Sequence, residues 1–112
     1  MRVLVCGGRD FHDYALAVRV LDSIQPVTEV IEGGANGADA LGRLWAAERC
    51  LPVRTFRADW DKHGRAAGPL RNQQMLDEGK PDLVVAFPGG RGTTDMVRRA
   101  IAAGVTVRPV TQ

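Results

Sequence analysis

Two periods of apolar residues alternate along this chain. Val3–Cys6 is a short, unbroken apolar run that ends on Gly7-Gly8. A run so short and so rich in valine predicts a strand buried on both faces. In Asp13–Ile24 the residues Tyr14, Ala17, Val18, Leu21 and Ile24 fall at helical spacing, with Asp13 as N-cap and Pro26 as the stop. Thr28–Glu32 predicts a second strand, closed by Gly33-Gly34. Asn36–Cys50 predicts a second helix with Leu41, Leu44 and Trp45 facing inward. Pro52–Phe56 predicts a third strand. Arg57–Gly68 has no apolar period and is expected to be a polar loop, long for its kind at roughly a dozen residues. Gly68-Pro69 opens a third helix, with proline suited to the first turn, and Gly79 and Pro81 stop it. Asp82–Phe87 predicts a fourth strand, followed by Pro88-Gly89-Gly90-Arg91-Gly92. Thr94–Ala103 predicts a fourth helix with Met96, Val97, Ala100 and Ile101 inward and Gly104 as its C-terminal cap. Val105–Pro109 is the last predicted strand.

Strands alternating strictly with helices demand a mainly parallel sheet with helices on both faces. Right-handed crossovers then narrow the topology to a Rossmann-like, doubly wound α/β sheet of five strands. The chain has 112 residues, a length that suits one domain. No repeat, low-complexity stretch or linker divides it, so residues 1–112 are read as a single unit.

Composition excludes more than it identifies. Hydrophobic residues make up 45% and charged residues 25%, which argues against disorder. The net charge of +2 is too small to suggest a nucleic-acid groove. Lys62 and Lys80 are the only lysines; the other cations are arginines, whose planar fork suits phosphate, although a GC-rich genome gives the same bias. Cys6 and Cys50 have no CxxC partner and read as buried thiols of a reducing compartment. No apolar run is long enough for a membrane helix, and no signal-peptide pattern opens the chain. A cytoplasmic protein without a membrane partner is expected.

The glycines carry the functional signal. Gly7-Gly8-Arg9, Gly33-Gly34 with Gly37, and Gly89-Gly90 with Gly92 each follow a strand and lead into a helix. In such sheets ligands bind beyond the carboxyl ends of the strands. Glycine lets a ligand approach the backbone, and a helix start aims free N–H groups at it. One such loop could be a plain turn; three at one sheet edge point to phosphate. The Gly33 loop lacks the Lys-Ser/Thr of a P-loop, and the Gly7 loop lacks the third glycine of a dinucleotide fingerprint. Glu32 ends its strand where a ribose-binding acid would sit, but a solvated strand-end carboxylate is the commoner reading.

Four further groups of side chains stand out, two of them with two readings. Arg71 and Asn72 are either an exposed helix face or a phosphate-binding fork with a hydrogen-bonding partner. Trp60 either caps the core or stacks on a base, with the core reading ahead. Asp59-x-Asp61-x-His63 is too unspecific for a metal site, and neither metal nor cofactor is expected. Asp10, His12 and Asp13 read as helix capping.

These stretches also resemble a known family. Val84–Met96, VVAFPGGRGTTDM, resembles the PGGxGTxxE signature of the LOG (lonely guy) nucleotide phosphoribohydrolases. The opening CGGRDF, the middle EGGANGAD and the stretch ADWDKHGRAAGPLRNQQM are similar to the YspA/YpsA-related branch of the SLOG superfamily. The resemblance covers nearly the whole chain. It implies a Rossmann-like domain that takes a nucleotide-like small molecule, with Gly89, Gly90, Gly92 and Thr93 at the phosphate. It brings Asp39, in EGGANGAD, among the ligand-binding candidates. It implies a homodimer, and it carries the catalytic arginine of LOG enzymes onto Arg71. The motif glutamate falls on Met96. The nearest acid, Asp95, is one residue early, which on a helix is a rotation of ~100°.

Three functions follow. The first is a nucleotide-binding sensor or carrier. The second is an N-glycosidase that releases the base from a nucleoside 5′-monophosphate, with Arg71 orienting substrate and Asp95 stabilising the developing oxocarbenium ion or activating water. The third is single-stranded DNA binding, as in the DprA relatives, which the small charge and scarce aromatics oppose.

Overall fold

The computed structural model describes residues 1–112. Its strands are β1 (Arg2–Cys6), β2 (Glu29–Glu32), β3 (Val53–Thr55), β4 (Leu83–Ala86) and β5 (Thr106–Pro109). Its helices are α1 (Tyr14–Asp22), α2 (Ala38–Glu48), α3 (Trp60–His63), α4 (Ala67–Gln74) and α5 (Arg91–Ala102). A turn of 3-10 helix, Gly64–Ala66, joins α3 to α4, and a π-helical turn, Met75–Gly79, extends α4. All strands are parallel, in the order β3-β2-β1-β4-β5. This is the predicted Rossmann-like α/β fold. No helix is long and apolar enough to cross a membrane.

The apolar run of β1 divides between two cores because successive side chains point to opposite faces. Val3 and Val5 join Ala17, Leu21, Trp45 and Ala46 under α1 and α2. Leu4 and Cys6 join Met75, Leu76, Met96 and Ala100 under α4 and α5. Asp13 caps α1 as expected, its carboxylate accepting the Leu16 N–H at 3.0 Å. Gly104 takes the left-handed conformation just past α5.

Several sequence expectations need correction. Arg57–Gly68 is not a loop throughout. Asp59 accepts the Lys62 N–H at 3.1 Å and starts α3, and Gly64, at φ 55°, ends it. Capping makes this turn, and no apolar face marks it in the sequence. Leu44 and Ile101 are 45% and 65% exposed, because Trp45 with Ala46, and Met96 with Ala100, already fill the inner stripes of α2 and α5. Cys6 is buried but Cys50 is exposed: it follows the end of α2 in a left-handed conformation that turns the chain outward.

Candidate functional site

The strand order reverses between β1 and β4, so the loops that leave these strands diverge towards opposite faces of the sheet. A crevice must open there. It does, as a cleft of about 1040 Å³. Its floor includes Cys6 and Met96, and its rim carries both the Gly7-Gly8 and the Gly89–Gly92 loops.

The loops touch through their backbones. The Gly8 N–H donates to the Pro88 carbonyl at 2.8 Å, and the Gly8 carbonyl accepts the Ala38 N–H at 3.1 Å. The first loop is thereby clamped between the other two. Gly37 makes the second contact possible. Its φ is 73°, and a Cβ on it would strike the backbone of Gly8 and Arg9.

The three glycine loops are not equivalent. In the second, the amides are already used. Gly33 and Ala35 donate to Asp39 Oδ2 at 3.0 and 3.3 Å, and Gly34 donates to Glu32 Oε1 at 2.7 Å. In the fourth-strand loop they are free. Gly90 precedes α5 without a side-chain cap, the first turn of α5 contains no acid, and the amides of Arg91, Gly92 and Thr93 find no acceptor in the protein. Four N–H groups at a helix start bind an anion readily when no carboxylate fills the place. Gly92 is in helical conformation, with nothing within 4 Å of where its Cβ would stand. Packing does not require a glycine there.

Glu32 is neither solvated nor available to a ribose. It is fully buried and accepts from Arg43 at 2.5 Å, from the Gly34 amide and from the Thr55 hydroxyl. Thr55 stands beside it in the β2–β3 register. Beside this group, burial pushes the Asp39 carboxyl above its ordinary value; the Ala35 and Gly33 amides and Arg71 only partly offset that. Burial likewise lowers the Arg71 guanidinium. Arg71 Nη1 donates to the Gly33 carbonyl at 2.5 Å and Nε to Asn72 Oδ1 at 3.0 Å. Arg71 therefore ties α4 to the second loop while lining the cleft.

Asn72 is buried, not part of an exposed face. Its Nδ2 donates to the Gly92 carbonyl at 3.2 Å and to Asp95 Oδ2 at 3.0 Å. Arg99 Nε also reaches Asp95 Oδ2, at 2.9 Å, and Arg98 Nη2 reaches Oδ1 at 2.7 Å. Burial alone would raise the Asp95 carboxyl, but the hydrogen bonds from Asn72, Arg99 and Arg98 outweigh it and hold it below the usual value. An ionised carboxylate so engaged is a poor proton donor and a weak base. It orients Asn72, which holds the first turn of α5. Met96 fills the core and offers no acid. Burial, with Asp39 nearby, pushes the Cys6 thiol up to about 12, so it stays protonated and unreactive.

Asp95 gives a pH-dependent expectation. Its native value is depressed, so its contribution is complete above the unfolded value of about 3.9 and disappears as pH falls through the native value. Asp95→Asn is expected to cost on the order of 1 kcal/mol at pH 7 and almost nothing in strong acid. Urea denaturation of both proteins at the two pH values checks this; an equal difference at both would place the effect outside this carboxylate's charge.

Trp60 is not in the core. It is 48% exposed on the cleft wall, and the Arg9 guanidinium lies 5.8 Å from its ring centroid. Asp10 and His12 also line the cleft, whereas only Asp13 of that cluster caps a helix. Trp60 thus takes the cleft position and not the expected core position, in keeping with its place in a polar stretch of the sequence.

A five-stranded parallel α/β sheet with a bare helix start at its topological switch point defines a Rossmann-like domain. The model of the YspA, cpYpsA-related SLOG family matches residues 1–63, and the chain belongs to that family. It is also similar to the Gene 61 protein of Mycobacterium phage D29, with 39% identity over 118 aligned positions that cover 95% of this chain and 93% of the relative. No solved structure matches it. Membership of a SLOG family suggests a nucleotide-related ligand and nothing more specific.

Proposed function

We propose that the protein binds a nucleotide, or a nucleotide-derived ligand, by its phosphate at the start of α5, and serves as a sensor or carrier. One observation carries this reading: four successive backbone amides, Gly90 to Thr93, face the cleft end of α5 with no acceptor and no acidic residue beside them. Asn72 fixes that turn through the Gly92 carbonyl. Arg9, Arg65 and Arg91 line the same cleft without an ion pair, so an anion gains there although the whole chain carries only +2. Trp60 offers a face for a base.

Binding is favoured over N-glycosidase chemistry because both Asp95 oxygens are engaged and Met96 holds the motif position. A cytoplasmic homodimer completes the proposal, on the family likeness and the free thiols.

AMP is expected to stabilise the fold, and adenosine is not. At a hundred-fold excess over Kd a ligand adds about 2.7 kcal/mol, which for a domain of this size is roughly 10 °C in Tm. A thermal-shift titration of both compounds tests it. Equal shifts, or none with AMP at millimolar concentration, would refute the phosphate reading. Release of adenine during the incubation would favour the hydrolase instead.

A further inference from the structure

A smaller lobe of about 270 Å³ adjoins the main cleft. The two share Arg9, Ala35, Trp60 and Arg71, so Trp60 and Arg9 stand where they meet. The rest of the lobe is walled by Arg57, Ala58 and the Gly33–Asn36 loop. Its lining contains three arginines and no carboxylate.

The acids behind the Gly33–Asn36 loop are already committed. Glu32 is fully buried and paired with Arg43. Asp39 is held by the Gly33 and Ala35 amides and faces Arg71. Arg9 and Arg57 form no ion pair. Arg57 only donates to the Gly34 carbonyl, at 3.3 Å, and Arg9 only leans over Trp60. Two guanidinium groups are thus gathered in a small concavity without a counter-charge. A phosphate between them would regain the Coulomb energy and make charge-assisted, forked hydrogen bonds. The lobe is smaller than the ~300 Å³ at which small-molecule sites begin, so it suits one group of a larger ligand. The main cleft, at about 1040 Å³, lies at the upper end of the range of small-molecule sites.

We propose that this lobe is a second phosphate subsite, and that the ligand is a nucleotide carrying two phosphates separated by a nucleoside. One phosphate sits at the start of α5, the other between Arg9 and Arg57, and the nucleoside between them lies against Trp60. The proposal rests on the phosphate reading of α5 given above.

Calorimetric titration of the whole protein with AMP and with the 5′-phosphorylated dinucleotide pApA tests it. The dinucleotide is expected to bind on the order of ten-fold more tightly, from one added charge-assisted contact. Arg57→Ala is expected to abolish that gain and leave AMP binding unchanged. Arg57 is exposed and makes a single hydrogen bond to the backbone, so the variant keeps its fold, which an unchanged Tm confirms. Equal affinity for the two ligands, or a gain that survives Arg57→Ala, overturns the second subsite alone. Binding of neither overturns the α5 reading with it. Affinity that keeps rising with a longer 5′-phosphorylated oligoadenylate would overturn the proposal in favour of a strand-binding groove.

Discussion

Gly37→Ala is expected to destabilise the protein by about 3 kcal/mol or more. Gly37 adopts φ 73° and ψ −127°, a conformation that costs any other residue on the order of 1–3 kcal/mol. The added methyl group would also meet the Gly8 carbonyl oxygen and the Arg9 backbone, neither of which can swing aside like a side chain. Relief requires the first and second loops to part, which breaks the hydrogen bond from the Ala38 amide to Gly8. Against a total stability of ~5–15 kcal/mol the loss is large. Urea denaturation should show a lower midpoint at an unchanged slope. A midpoint like that of the parent protein would mean that the two loops do not abut.

Gly92→Asp should do the opposite to stability and far more to binding. In the first turn of α5 a carboxylate meets the helix dipole and the free amides, and any residue other than proline is a better helix former than glycine there. A gain of about 0.5–1 kcal/mol is expected. The same carboxylate takes the place of the ligand's phosphate and repels it. Affinity for AMP should fall by about 100-fold or more, equivalent to ~2.7 kcal/mol. Gly92→Asn, similar in size but uncharged, should weaken binding much less. Calorimetry for affinity, with thermal melting for stability, separates the effects. A Gly92→Asp protein that binds AMP like the parent would remove the phosphate from α5.

Much of this was legible in the sequence, for identifiable reasons. The switch between apolar runs and helical spacing fixed the order of elements, and that order left a parallel sheet as the solution. The glycine pairs located the ligand edge. What could not be read was which loop still had free amides. That depends on Asp39 and Glu32 folding back onto the second loop, and the burial of Glu32 depends on Arg43 from α2 and Thr55 from the neighbouring strand. A glutamate ending a strand looks solvated until those partners are known. Asn72 was ambiguous for a similar reason, since its partners Gly92 and Asp95 belong to a later helix. The α3 turn escaped because a cap and a glycine make it, not an apolar stripe. Trp60 then follows α3 to the cleft wall.

In the proposed function the amides at the start of α5 hold a phosphate. An amide nitrogen–proton NMR titration with AMP, repeated with adenosine, tests it most directly. The resonances of Gly90, Arg91, Gly92 and Thr93 are expected to move first and furthest with AMP and to stay in place with adenosine. The same movement with both compounds, or AMP shifts confined to other parts of the protein, would contradict it.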